Sequence, residues 1–461
     1  MMGEKTGPQN NWLYSGFRWL PAKEALSAQK KRARILKELS GSLRYHFSGS
    51  KISTGRLSPG CTICGNGRWS CLFVNGLCTA NCFYCPQDRS IKEERAPFCQ
   101  EGLRFDSPDE YVIFLQKFGF RGVGFSGGES LLAFKTAARF IKKIREAFKH
   151  NIYLWLYTNG KLIDSSKLRR LRQLGLNEIR FNISADNYNL KPVALAARFI
   201  DTVTVEIPAI PEDYDKALKS IRQMQESGVK FLNLHQLSTT KYNYKNFLAR
   251  EYTFLRQPHL PVLESEITAL SLLKYAADAR LRLPVHYCSC SYQCRFQEAG
   301  LRKRSAMLAA AGWEEITPAG FIRSISLRGA PAGLEKIAAA LKHRRLPVLL
   351  NATAASAELF FSSAALKHIH PAAKDIIIRY LKPFLSETAS VSDKDVTEIA
   401  LGAKRKLFIK KELAAKYAGI TPQRFRDFRR LINGGPAAKQ KARLPAWIKW
   451  ERLNEGLPAI D

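Results

Sequence analysis

The chain has 461 residues, ten of them cysteine, with 46% hydrophobic and 25% charged residues and a formal net charge of +33. That length suits two or three domains with a sizeable core, and the balance of apolar and charged residues excludes a disordered chain. No apolar run reaches the roughly 18 residues that a membrane-spanning helix needs, and no charged segment leads into an apolar stretch near residue 1, so a cytoplasmic protein is expected.

Residues 1–58 read as an N-terminal helical extension. From Cys71 to Leu237, short β-branched and aromatic runs at 72–74, 123–125, 153–157, 178–183, 202–207 and 231–234 alternate with helical stretches such as 133–148. These six strand–helix units recur about every 28 residues, close to the roughly 30 of a parallel β-α repeat. The expected fold is α/β, with a partial (βα)6 TIM-like barrel over residues 59–240. Residues 241–300 read as a linker helix, over 265–281, followed by a second cysteine cluster. Residues 301–385 read as a small α+β domain with strands at 321–327, 347–350 and 357–361 and a helix at 334–342. Residues 386–461 read as a basic helical region, in which a helix from Glu412 stops at Gly419 and a second starts at Thr421 and Pro422. That pair is either a helix-turn-helix or a plain helical hairpin, and residues 434–446 read as a linker.

Basic runs at Lys30–Arg34, Arg302–Arg304, His343–Arg345, Lys404–Lys406 and Arg429–Arg430 suit polyanionic partners such as nucleic acid, an anionic lipid surface or an acidic protein. Their spread over the whole length is equally the pattern of a solubilising surface.

The sharpest signal is Cys78-Thr-Ala-Asn-Cys82-Phe-Tyr-Cys85, a C-x3-C-x2-C run that ten cysteines would give by chance with an expectation of about 0.005. Thiolates are the usual ligands of a [4Fe–4S] cube, and three of them leave one iron open. Downstream, each near the end of a strand-like run, come Ser126-Gly127-Gly128-Glu129, Tyr157-Thr158-Asn159-Gly160, Asn182-Ile-Ser184 and Glu206-Ile-Pro-Ala-Ile-Pro211. Strand C-terminal ends face the active site in parallel barrels. In this order the motifs resemble the radical S-adenosylmethionine (radical SAM) superfamily. Over about residues 55–300 the chain is similar to a group related to pyruvate formate-lyase activating enzyme.

The resemblance implies iron–sulfur chemistry in an oxygen-poor setting. A [4Fe–4S] cluster on Cys78, Cys82 and Cys85 would reductively cleave SAM to a 5′-deoxyadenosyl radical that abstracts hydrogen from substrate. Gly127, Gly128 and Glu129 would position the methionine end of SAM. Tyr84 would pack near adenine, and Asn159, Asn182, Ser184 and His235 would supply polar contacts. The partner implied is a one-electron donor such as flavodoxin or ferredoxin. No side chain is assigned a catalytic acid or base role, and no signal fixes an oligomeric state.

Cys61, Cys64, Cys288, Cys290 and Cys294 could assemble a second site, either an auxiliary [4Fe–4S] cluster or structural zinc. Cys71 reads as a buried strand residue and Cys99 as a structural one. The substrate is expected to be a protein, as for a glycyl-radical activase, or RNA. A reading of another class is a non-catalytic zinc-binding RNA adaptor, against which Glu129 and its glycines argue.

Overall fold

A computed structural model describes residues 15–88, 97–99, 102–369, 376–390, 395–433 and 447–460. The linker expected at 434–446 lies outside the described residues. The chain divides into two compact units, one of residues 1–297 with 455–461 and the other of residues 298–454. No helix among the described residues is long and apolar enough to cross a membrane.

The first unit is built on one ten-stranded sheet. Its strands are β1 (Arg44–His46), β2 (Lys51–Ser53), β3 (Trp69–Asn75), β4 (Phe98–Cys99), β5 (Gly122–Gly127), β6 (Tyr153–Thr158), β7 (Glu178–Phe181), β8 (Thr202–Pro208), β9 (Phe231–His235) and β10 (Val285–Cys288). They run in the order β1-β2-β10-β9-β8-β7-β6-β5-β3-β4. The stretch from β3 through β5, β6, β7, β8 and β9 to β10 is parallel, with β2 and β4 added antiparallel at its two ends. Helices such as Phe134–Phe148 and Tyr214–Glu226 connect the strands and cover the outer face of the sheet, while polar residues alternate along the strands on the inner face. This is the partial TIM-like α/β barrel, with its side left open.

Two expectations are revised. The segment 241–300 is more than a linker. The helix Leu263–Asp278 leads into β10, which adds a seventh parallel strand beside β9, in a register that sets His235 opposite Cys288. The N-terminal segment is also only partly helical. It has one long helix, α1 (Ala22–Glu38), but then supplies β1 and β2 to the sheet.

A short helix, α2 (Pro59–Gly65), crosses the N-terminal ends of the barrel strands. Ser58 caps it by accepting from the Cys61 amide, and Pro59 occupies its first position, where the missing N–H costs nothing. The helix is pressed hard against the barrel. A Cβ on Gly60 would lie 2.3 Å from an Arg180 Nη, and one on Gly65 would lie 2.5 Å from the Tyr292 hydroxyl.

The second unit is an antiparallel sheet in the order Val348–Ala352, Ala357–Phe361, Ile322–Gly329, Ile376–Ser386, Lys406–Tyr417, Thr397–Ala400, with the short strand Glu315–Ile316 also paired to Ile322–Gly329. The helix Pro331–His343 and residues such as Phe361, Tyr380, Phe428 and Trp447 complete its core. The helical reading of the C-terminal region fails here. Residues from Glu412 lie in the strand Lys406–Tyr417, paired along Ile376–Ser386, so there is no boundary at 385 and no helix-turn-helix. Leu407 and Ile409 are buried two residues apart, and sheet pairing overrides the helix propensity of Leu-Ala-Ala-Lys. Only Pro422–Ile432, capped by Thr421, forms as a helix of that pair.

Candidate active site

β3 ends at Asn75 and passes into the loop that carries Cys78, Cys82 and Cys85, all half-buried thiols. The loop folds on itself where the Cys85 amide donates to the Cys82 carbonyl. It is pinned from beneath by two side chains that no local pattern marks. Asn243 donates to the Tyr84 carbonyl at 3.0 Å and Asn246 to the Phe83 carbonyl at 3.0 Å. Phe83 and Tyr84 pack on an apolar layer that includes Phe17, Leu237, Phe247 and Phe254, and the Arg250 guanidinium stacks 3.6 Å from the Phe83 ring centre.

The ends of β5, β6 and β7 close on this loop. Gly127 sits at φ 124°, and a Cβ there would be 2.1 Å from the Asn75 carbonyl oxygen; one on Gly128 would be 1.8 Å from that of Leu77. Only glycine allows the two chains to lie so close. At the end of β6, the Asn159 amide donates to Thr79 Oγ1 at 2.9 Å and points at the Cys78 sulfur at 3.8 Å. Beyond β7, the Tyr84 hydroxyl meets Ser184 Oγ at 2.6 Å and the Asn182 side chain at 3.2–3.3 Å. Burial, with the Cys82 thiol next, pushes the Tyr84 phenol well above its ordinary range, so it remains a protonated donor.

Glu129 is 1% exposed, and both carboxylate oxygens are committed to the protein. Oε1 accepts from the Thr158 hydroxyl at 2.8 Å and the Leu131 amide at 3.0 Å, and Oε2 accepts from the Asn159 amide at 2.7 Å. Burial raises its affinity for a proton, against the pull of those donors. The structure thus uses Glu129 to fasten the end of β6, and with it Asn159, to the end of β5.

His235 lies in a different group, inside the barrel. Its Nε2 is 3.0 Å from Glu206 Oε1 and its Nδ1 3.3 Å from the Gln293 amide. Arg180, also in the lumen, bridges Glu206 and Glu178 at 2.8 Å each. Burial alone would raise the Glu206 carboxyl, yet Arg180 and His235 hold it well below the ordinary carboxylate range. The period of two along each strand explains this grouping. Arg180, Glu206, Asn233 and His286 point inward, whereas Tyr287 points outward to bond Glu266, which Arg32 of α1 also pairs.

The second set of cysteines separates in space. Cys61 and Cys64, on α2, and Cys288, at the end of β10, face the lumen. The Cys61 sulfur is 3.5 Å from His286 Nε2, the Gln297 amide is 2.7 Å from the Cys64 sulfur, and the Gln293 amide is 3.9 Å from the Cys288 sulfur. Burial raises the Cys64 and Cys288 thiols. Cys290 points elsewhere, toward the Gln236 carbonyl at 4.0 Å, and burial pushes its thiol up to about 12. Cys294 comes within 4.8 Å of a His259 ring nitrogen. Cys71 and Cys99 are buried strand residues.

The residues at the mouth fit the group that their pattern implies. Three thiols stand on one loop with an amide donor aimed at one sulfur, beside a backbone cradle that any Cβ would fill. Residues 73–243 match the family model of the Radical SAM superfamily. The chain carries a radical SAM domain. It is therefore a radical SAM enzyme, and the domain's cofactors are a [4Fe–4S] cluster and SAM. A relative from Methanocaldococcus jannaschii, provisionally named a glycyl-radical enzyme activating enzyme, is 27% identical over 277 residues, covering 58% of this chain and 72% of its own. Among solved structures, Streptococcus suis SuiB bound to S-adenosylmethionine is 13% identical with a TM-score of 0.36, over 54% of this chain and 58% of SuiB. The SAM-bound enzyme anSMEcpe with its Kp18Cys peptide is 19% identical with a TM-score of 0.29, over 38% of this chain and 56% of its own. This chain thus spans just over half the length of those two structures.

Proposed function

We propose that this radical SAM enzyme abstracts hydrogen from a protein substrate, in the manner of a glycyl-radical activating enzyme. The observation that carries the reading is the meeting of the cysteine loop with three strand ends, where Asn159 reaches the Cys78 sulfur and Tyr84 clasps Ser184 and Asn182. In this reading Cys78, Cys82 and Cys85 hold the cluster, Gly127, Gly128 and Asn159 receive the methionine end of SAM, and Tyr84, Asn182 and Ser184 the nucleoside end. When bound, the reduced cluster and SAM together supply a primary carbon radical able to take hydrogen from an unactivated C–H bond.

The chain's own contribution is binding, orientation and exclusion of water. The Asn159 side-chain amide, directed at the Cys78 sulfur, orients that ligand atom from outside the site. The Tyr84 hydroxyl keeps two strand-end side chains in one arrangement. The apolar layer beneath Phe83 and Tyr84 keeps water from the underside of the loop. The protein substrate is supported by the similarity to the relative named for activating glycyl-radical enzymes. The net charge of +33 favours RNA as the second reading.

The test is anaerobic reduction of the protein with dithionite in the presence of methyl-labelled SAM. The expected result is 5′-deoxyadenosine, with a glycine-centred radical signal on an added protein substrate and no label in RNA. Absence of 5′-deoxyadenosine overturns the radical reading. Label transferred to RNA overturns the protein substrate in favour of RNA modification.

A further inference from the structure

Lys51, on β2, is the one lysine among the described residues in the buried class, 1% exposed inside the barrel. Its ammonium lies 4.3 Å from the centre of the Tyr292 ring, and among the described residues no carboxylate stands within 4.0 Å of it. Burial disfavours its charge, and the neighbouring groups that could carry a compensating negative charge are, in order, Cys288, Cys61, Cys64 and Glu206. Glu206 is already engaged by Arg180, His235 and Asn233. A buried cation requires a compensating anion, and neutral thiols do not provide one. The same thiols do provide one when a metal centre holds them as thiolates.

The surroundings are those of a ligand shell rather than of apolar packing. His286 is fully buried, with Nε2 facing the Cys61 sulfur and Nδ1 without a partner, and the buried Tyr292 hydroxyl also lacks one. Two side-chain amides, of Gln293 and Gln297, point at the Cys288 and Cys64 sulfurs. Hydrogen bonds to ligand sulfurs are a general feature of iron–sulfur sites and tune their potential. A single zinc ion would draw its sulfurs close together, but these three are not gathered within 4.8 Å of one another. A four-iron cube spreads its ligands more widely.

We propose that Cys61, Cys64 and Cys288 bind a second iron–sulfur cluster in the barrel lumen, with the Lys51 ammonium as its counter-cation and His286 as a further donor. Cys290 and Cys294 stand outside the ligand set. The site is distinct from the cysteine loop at the barrel mouth and does not depend on which substrate the enzyme takes.

The test begins with the full chain carrying Cys78→Ala, Cys82→Ala and Cys85→Ala, which removes the first cluster, reconstituted anaerobically with iron and sulfide. About four irons and matching sulfide per chain should remain, with a low-temperature electron paramagnetic resonance signal after reduction. Adding Cys288→Ser should abolish both, whereas adding Cys290→Ser and Cys294→Ser should leave them. Zinc in place of iron, no metal at all, or loss on the Cys290 and Cys294 changes would overturn the assignment. A second measurement guards against misfolding. Cys288→Ser in the otherwise native chain should keep a first cluster whose signal still shifts on adding SAM, with about four irons in place of eight. Retention of about eight would overturn the proposal. Lys51→Met should move the second cluster to a more negative potential, because removing a nearby cation disfavours the reduced form. An unchanged potential would refute the role given to Lys51.

Discussion

Glu129 offers the clearest trial of what the glycine-rich strand end does. Its carboxylate accepts from Asn159 N–H, Thr158 O–H and Leu131 N–H at 2.7, 2.8 and 3.0 Å. Glu129→Gln keeps the shape but turns one oxygen into a donor, and the oxygen facing the Asn159 amide is the one with a single partner. This leaves unpaired a buried N–H that had donated to a charged acceptor, at a cost of about 2–4 kcal/mol. For a unit of this size that corresponds to roughly 3–6 °C in the melting of the barrel. Differential scanning calorimetry, with the two units' transitions resolved, reads it directly. Glu129→Ala, which orphans all three donors, should cost about 3–5 kcal/mol. Binding of SAM should weaken in proportion to the disturbance of Asn159, so Asn159→Ala in the Glu129→Gln background should add little. If Glu129→Gln melts within about 1 °C of the native chain yet loses SAM binding, the carboxylate acts on the ligand and the reasoning is wrong.

Tyr84→Phe removes the hydroxyl shared by Ser184 and Asn182; iron content should be unchanged and the Kd for SAM should rise about 5- to 10-fold, by equilibrium dialysis. The depressed Glu206 carboxyl makes a sign prediction. Below its ordinary value of 4.5 the unfolded chain takes up a proton that the folded barrel resists, so this contribution to stability is present above that pH and lost as pH falls through the folded value. Urea midpoints of the barrel transition should therefore decline on acidification below about pH 4.5, less steeply in Glu206→Gln. In the second unit, buried Arg323 pairs with Glu451 at 2.6 Å, and Glu451 also accepts from Tyr380 at 2.7 Å. Arg323→Met should cost about 3–5 kcal/mol by leaving Glu451 buried and uncompensated, with part recovered in Arg323→Met/Glu451→Gln. A single-variant shift under about 2 °C would contradict that.

Much of the barrel was legible because each parallel strand is a short apolar run set off from helices of period 3.6, and the observed strands begin within a few residues of those read from the sequence. β10 is not marked in the sequence because Val285–Cys288 is four residues long and runs into the second cysteine cluster. The strand Lys406–Tyr417 is not marked because half of it is made of good helix formers, and only its partner Ile376–Ser386 decides the outcome. At the mouth, the spacing marks Cys78, Cys82 and Cys85 and the strand ends mark Asn159, Asn182 and Ser184, whereas Tyr84 is reached only through the family resemblance. Asn243 and Asn246 could not be named in advance, because nothing local distinguishes an asparagine that reaches back some 160 residues to a loop carbonyl. Lys51 was equally silent. A single lysine between Ser50 and Ile52 reads as surface until the sheet turns it inward.

The helix Pro59–Gly65 gives the barrel a direction. Its two glycines leave no room for a side chain against Arg180 or Tyr292, so one end of the lumen is stoppered by backbone. A polypeptide cannot thread through such a vessel. If the substrate is a protein, as proposed above, it has to dip in and withdraw by the same mouth, which favours a flexible hairpin or chain end over a residue held in the middle of a rigid fold.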